Sequence, residues 1–168
     1  MTLTSMINLD DLKNSYKRIN KYLVETPIVS CNALNEEFKA NIYLKNEVEQ
    51  LTGSFKIRGA LSALSNLKNQ GIKGVVAYSS GNHAQGVSKA AQIFDMHAII
   101  VMPEDAPSNK INKTKANGAE VVLYKRHIES RENIALQIAH EKNYPLVKPF
   151  DNEDIIAGQG SFGLEACK

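Results

Sequence analysis

Val75-Val76-Ala77-Tyr78-Ser79-Ser80-Gly81-Asn82-His83-Ala84-Gln85-Gly86-Val87 passes from an apolar run through a small polar turn into helical spacing. The apolar run is too short for a helix and is bounded by turn formers, so Val75 to Ser79 reads as a buried strand. After the turn, Val87, Ala90, Ala91 and Phe94 fall on one face, which predicts a helix over Ala84 to Phe94. The pattern then repeats. Ala98 to Met102 reads as a strand halted by Pro103, and Asn109 to Ala116 as a short helix closed by Asn117-Gly118. Val121 to Tyr124 is a further strand, and Arg131 to Lys142 a helix with Ile134, Ala135, Ile138 and Ala139 inward. Leu146-Val147 reads as a fourth strand. Strands alternating with helices mean parallel pairing through right-handed crossovers. The fold class is therefore α/β, with a three-layer parallel-sheet small domain over residues 72–150.

Before this unit, Asn8 to Tyr22 reads as an amphipathic helix with Leu9, Leu12, Tyr16 and Ile19 on one face, and Thr26-Pro27 breaks it. Ile42 to Leu44 is a short strand. Ala60, Leu61, Ala63, Leu64 and Leu67 set a helix that starts from Ser54 as N-cap and ends near Asn69, at Gly71. Lys56 then stands in the first turn, where the helix dipole repels a positive charge. Repulsion and burial both favour the neutral amine, the form that attacks carbonyls. At the other end, Gly160 to Cys167 opens a helix that stops in its first turns, which predicts that the chain is part of something longer. Residues 1–71 are thus expected to be the N-terminal part of a larger domain, and residues 151–168 the start of the return into it.

Of 168 residues, 43% are apolar and 23% charged, and the formal net charge is +2, so nothing favours a nucleic acid or an anionic membrane surface as partner. Cys31 and Cys167 are far apart and read as free thiols in a reducing compartment. With no signal-like N-terminal run, a cytoplasmic protein is expected. His83, His97, His127 and His140 show no metal-ligand spacing, so no metal is expected. Gly158-Gln159-Gly160-Ser161-Phe162-Gly163 matches the dinucleotide pattern but lacks a strand before it, and helix-packing glycines explain it better. Lys110, Lys113 and Lys115 read as a solvated helix face.

Ser79-Ser80-Gly81-Asn82-His83 lies where ligands bind in open α/β sheets, outside the C-terminal end of a strand. Free N–H groups at the following helix favour a carboxylate or phosphate there. An ordinary βα turn with Ser and Asn as caps remains the alternative. Taken together, Thr52-Gly53-Ser54-Phe55-Lys56-Ile57-Arg58-Gly59-Ala60 and Ser79-Ser80-Gly81-Asn82-His83-Ala84-Gln85-Gly86 closely resemble the serine/threonine dehydratase and serine racemase family. These are pyridoxal-phosphate enzymes of the tryptophan-synthase-β fold. Thr26-Pro27, Ala106-Pro107, Gly118-Ala119-Glu120, Ser130-Arg131-Glu132-Asn133 and Ile156-Ala157-Gly158-Gln159-Gly160 support the resemblance, which runs along the whole chain.

The resemblance implies roles for particular residues. Lys56 would form the Schiff base with the aldehyde of pyridoxal 5'-phosphate and move the α-proton. Phe55 would lie against the pyridine ring, and Asn82 would hydrogen-bond the phenolic oxygen. Ser79, Asn82 and His83 would hold the substrate carboxylate. The implied reaction is deamination of L-threonine or L-serine to a 2-oxo acid and ammonia. Many dehydratases of this group carry alanine where this chain has Ser80, whereas serine racemases carry serine. Ser80 would supply a second proton donor, so racemisation is an alternative activity. A β-replacement synthase is a further alternative, disfavoured by Ile57-Arg58-Gly59-Ala60. The family's glycine-rich phosphate loop and its later serine or threonine at the pyridine nitrogen are absent from these residues. The chain alone is therefore expected to act poorly unless another chain supplies the rest; a homo-oligomer is the alternative partner, and a non-catalytic remnant is the other outcome. Apolar surface on the Lys56 segment and on the Asn8 to Tyr22 helix would be left bare.

Overall fold

The computed structural model describes residues 7–167. Its first helix, α1, spans Leu9–Ile19, followed by a 3-10 turn at Asn20–Tyr22. Asn8 caps it by accepting from the N–H groups of Asp10 and Asp11, while the Asp11 carboxylate accepts from the Asn8 N–H. Ile19 is buried and Leu12 and Tyr16 are half-buried, as expected, while Ser15 joins the inward face and Leu9 is exposed. Next come strand β1 (Ile28–Ser30), helix α2 (Asn32–Phe38) and strand β2 (Tyr43–Lys45). β1 and β2 form an antiparallel ribbon, with Val29 opposite Leu44. The sequence pattern gave no sign of β1 or α2, because Ile28, Val29, Tyr43 and Leu44 are all exposed and no half-buried alternation marks the ribbon.

After a 3-10 turn at Glu47–Glu49, helix α3 occupies Lys56–Asn69 and ends at Gly71, whose φ is +81°. The alternation then follows as read: β3 (Gly74–Tyr78), α4 (Asn82–Phe94), β4 (His97–Pro103), α5 (Ser108–Ala116), β5 (Glu120–Tyr124) and α6 (Arg131–Lys142). The three strands pair in parallel in the order β3-β4-β5, with Val76 beside Ile99 and Ile100 beside Val121. The period of two separates the sheet faces. Val75, Ala77, Ala98, Ile100 and Met102 join the core of α3 and α4. Val76, Tyr78, Ile99 and Val101 meet Ala135 of α6. The three layers are as expected, but the fourth strand shrinks to one parallel bridge between Val76 and Leu146. Pro145 has no N–H to continue a ladder.

The final helix, α7, spans Glu153–Ala166, starting well before the expected Gly160 because Asn152 caps it by accepting from the Ile155 N–H. α7 packs on α3 and α1, while Leu9 of the first helix and Leu51 and Phe55 of the Lys56 segment stay exposed, as expected. Gly158 and Gly160 are packing positions, as read, whereas Gly163 faces open space. A Cβ on Gly158 would stand 2.5 Å from the Arg58 carbonyl oxygen and 2.8 Å from Gly59 Cα. No helix among the described residues is long and apolar enough to cross a membrane.

Two substitutions on one helix check this contact. Gly158→Ala is expected to cost about 1–3 kcal/mol through overpacking. Gly163→Ala, whose Cβ would meet nothing within 4 Å, is expected to gain up to about 1 kcal/mol from helix propensity. Urea-unfolding midpoints of the two variants should move in opposite directions.

Candidate active site

Lys56 is the first residue of α3. The loop before it turns at Gly53, where φ is +69° and its N–H donates to the Gln50 carbonyl at 2.7 Å. Phe55, not Ser54, occupies the N-cap position, and it caps with backbone alone. Ser54 still contributes, since its hydroxyl accepts from the Lys56 N–H at 3.1 Å. The Lys56 ammonium is half-buried, donates to the Pro149 carbonyl at 3.0 Å and lies 5.3 Å from the centre of the Phe55 ring. Burial holds its pKa below the ordinary lysine range.

The Ser79–His83 turn leads from β3 into α4. The Ser79 hydroxyl accepts from the Gly81 N–H at 3.1 Å, and a Cβ on Gly81 would meet nothing within 4 Å. Space is therefore open beside the first N–H groups of α4, which have no intrahelical acceptor. Ser79 and Ser80 are half-buried and Asn82 is exposed. The Asn82 Oδ1 accepts from Lys110 Nζ at 2.8 Å, which leaves its NH2 group free to donate. Lys110 thus reaches the site from α5, a role that a lysine-rich helix face does not reveal.

His83 is 3% exposed, and its Nε2 meets the Val147 carbonyl at 3.1 Å. A carbonyl only accepts, so Nε2 carries the hydrogen and Nδ1 is a bare acceptor, buried and without a partner among the described residues. Burial, with help from the Lys56 charge and against the Val147 hydrogen bond, pushes the ring down to about 4. The side chain is therefore committed to the Val147 carbonyl. The two sequence loops meet through this segment, Val147 holding His83 and Pro149 holding Lys56. They also meet directly, since a Cβ on Gly86 would stand 3.1 Å from the Lys56 carbonyl oxygen. Nearby, the Arg131 guanidinium lies 5.1 Å from the ring of Tyr78, the last residue of β3.

Sequence reasoning missed the charged group behind Lys56. Arg58 is fully buried and forked onto Glu47 at 2.7 and 2.8 Å and onto Glu165 at 2.9 and 2.8 Å. Lys45 Nζ also reaches Glu165, at 2.7 Å. Burial alone would lower the Arg58 pKa, but its hydrogen bonds to Glu47 and Glu165 outweigh burial and raise it. The same bonds hold both carboxyls below the usual carboxylate range despite their burial. The one available signal was an arginine between two apolar-face positions, Ile57 and Ala60.

These residues fit the reactive end of a pyridoxal-type cofactor. Lys56 offers an amine that loses its proton easily, Phe55 a 41% exposed aromatic ring, and Asn82 an amide donor for a phenolic oxygen. His83 Nδ1 is an orphaned acceptor at the same turn. No group of His, Cys, Asp and Glu suited to a metal ion occurs among the described residues.

Residues 19–168 match the family described as pyridoxal-phosphate dependent enzyme. The chain is 43% identical over 156 residues to L-threo-3-hydroxyaspartate ammonia-lyase of Saccharomyces cerevisiae, covering 92% of this chain and 48% of that protein. It is 44% identical over 161 residues to L-threonine ammonia-lyase of Thermotoga maritima, covering 95% and 40%. The crystal structure of serine racemase from Dictyostelium discoideum superposes with a TM-score of 0.87 at 42% identity, over 95% of this chain and 52% of that one. The chain spans about half the length of the curated relatives it matches.

The buried ring of His83 predicts a pH signature. Well above pH 6.5 both folded and unfolded chains hold it neutral. As pH falls towards 4, only the unfolded chain takes up the proton, so stability falls. Between pH 7 and pH 4 the loss from this group is about 3 kcal/mol. His83→Gln should remove that part of the slope in denaturant titrations, leaving the acid-end loss from Glu47 and Glu165 common to both proteins.

Proposed function

We propose that this chain, which belongs to the pyridoxal-phosphate dependent enzyme family, is the lysine-bearing half of an ammonia-lyase that deaminates L-threonine or L-serine. The observation that carries the reading is the Lys56 amine, half-buried with its pKa lowered by burial, beside the open N-terminus of α4. The ammonia-lyases among the relatives support the reaction class.

The bound cofactor supplies an electron sink that makes the hydrogen on the substrate Cα acidic. The chain's own residues do the rest. Lys56 anchors the cofactor and, as a neutral amine, takes the proton from Cα. Phe55 supports the ring, and the Asn82 amide donates to its phenolic oxygen. The first N–H groups of α4 and the Ser79 hydroxyl hold the substrate carboxylate. His83 contributes by fixing the turn through Val147. Loss of the β-hydroxyl and hydrolysis give 2-oxobutanoate from threonine or pyruvate from serine, each with ammonia. Ser80, half-buried in the same turn, favours a second reading in which a proton returns to Cα with inversion, as in a racemase.

The reading includes a division of the chain at about residues 71 and 150, with the remaining walls of the site supplied by further polypeptide. It also includes an oligomeric assembly and a cytoplasmic location, with which the two free cysteines agree.

Borohydride reduction in the presence of pyridoxal 5'-phosphate should tag Lys56 by mass spectrometry. Lys56→Ala should abolish the tag and lower turnover of the completed enzyme by about 10^3-fold or more. A tag on another side chain would overturn the reading. Ser80→Ala should lose racemisation and retain deamination; a parallel fall in both would remove Ser80 from the chemistry.

A further inference from the structure

The charged group behind Lys56 has the form of a closed electrostatic unit. Arg58 has five N–H donors, and five hydrogen bonds are present: two to Glu47, two to Glu165 and one to Ser161 Oγ at 3.4 Å. Lys45 Nζ adds bonds to Glu165 and to the Thr26 carbonyl, and the Thr26 hydroxyl donates to Glu47 at 2.7 Å. Two positive and two negative charges cancel. Their side chains are almost sealed from solvent, at 0% for Arg58, 1% for Glu165, 8% for Lys45 and 12% for Glu47.

The quartet ties β2, the Glu47–Glu49 turn, α3 and α7 to one point. The loop that delivers Phe55 and Lys56 runs between two of its members, Glu47 and Arg58, so both ends of that loop are pinned. Buried ion clusters of this kind rarely out-stabilise apolar packing of the same volume. What the forked geometry does supply is a fixed place for the first turn of α3. Lys56 stands outside the unit, with no ion-pair partner among the described residues, and burial is what lowers its pKa.

We propose that Arg58 is a positioning residue for Lys56. Through Glu47 and Glu165 it fixes the turn that carries the amine, and so keeps that amine partly buried. This rests on Lys56 being the working amine, but its test does not use the cofactor.

The test is competitive acetylation of Lys56 as a function of pH, read by mass spectrometry on the chain, with circular dichroism and thermal unfolding run in parallel. The groups facing Lys56 are the Phe55 ring, the Pro149 carbonyl and, across α4, His83. Arg58→Lys keeps the charge and loses the fork; Glu47→Asp keeps the charge and shortens the reach to Arg58. In each folded variant the loosened turn lets Lys56 reach water, so its labelling midpoint is expected to rise by about one pH unit, a tenfold fall in neutral amine. Breaking the exposed pair with Arg126→Gln, which frees only Asp105, should leave the midpoint unchanged. A folded Arg58→Lys or Glu47→Asp protein with the wild-type midpoint overturns the proposal. Unfolding of both variants also overturns it, since the quartet would then serve folding and not placement. Failure of borohydride trapping at Lys56 in the wild-type chain, with the midpoint shifts intact, would instead count against the cofactor reading.

Discussion

Three helices meet backbone to backbone around α3, and the rest of the molecule is arranged about that contact. Gly59 and Gly158 bring α3 against α7, and Gly86 brings α4 against the carbonyl of Lys56. Any side chain at these positions would hold the helices apart by more than the core tolerates. The approach sets the depth at which Lys56 sits and the distance over which Arg58 can reach Glu165. It also joins residues of the N-terminal third, the sheet unit and the last helix in one core, from Ile19 through Val75 to Ile155.

The same closeness accounts for the electrostatics. Two cationic residues two positions apart, Lys56 and Arg58, experience opposite surroundings. Arg58 is enclosed by carboxylates that outweigh the cost of its burial, so its charge is secured. Lys56 is partly enclosed with only a carbonyl and an aromatic ring for company, so its charge is penalised. His83 is penalised further, because a nearby Lys56 charge adds to its burial. A basic amine and a histidine are both driven towards neutrality at one turn.

The sheet unit was legible because each of its strands is short, carries a run of apolar residues and is bounded by a turn former, and because α6 shows a clear inward stripe. The Leu146-Val147 strand failed where Pro145 interrupts it. β1 and α2 were illegible since their apolar residues face solvent and carry no periodic signal. α7 was half-legible: its glycines suggested helix contacts, but glycine-rich sequence hides helical onset. Of the site, Lys56 and the Ser79–His83 turn could be read from local motif chemistry. The partners of Arg58 could not, because Glu165 lies 107 positions away and only the fold brings it near. Lys110 was hidden for a similar reason, reaching Asn82 from the neighbouring crossover.

The single bridge at Leu146 has one more effect. The Tyr144 ring lies over Gly74, so closely that a Cβ there would meet it at 2.3 Å, and Pro145 follows with no hydrogen to offer. The outer margin of β3 is therefore shielded by a bulky ring, a proline and one short tie, which together deny docking room to a stray strand from a neighbouring molecule. A parallel sheet of only three strands is thereby kept from recruiting a fourth on that flank and seeding aggregation.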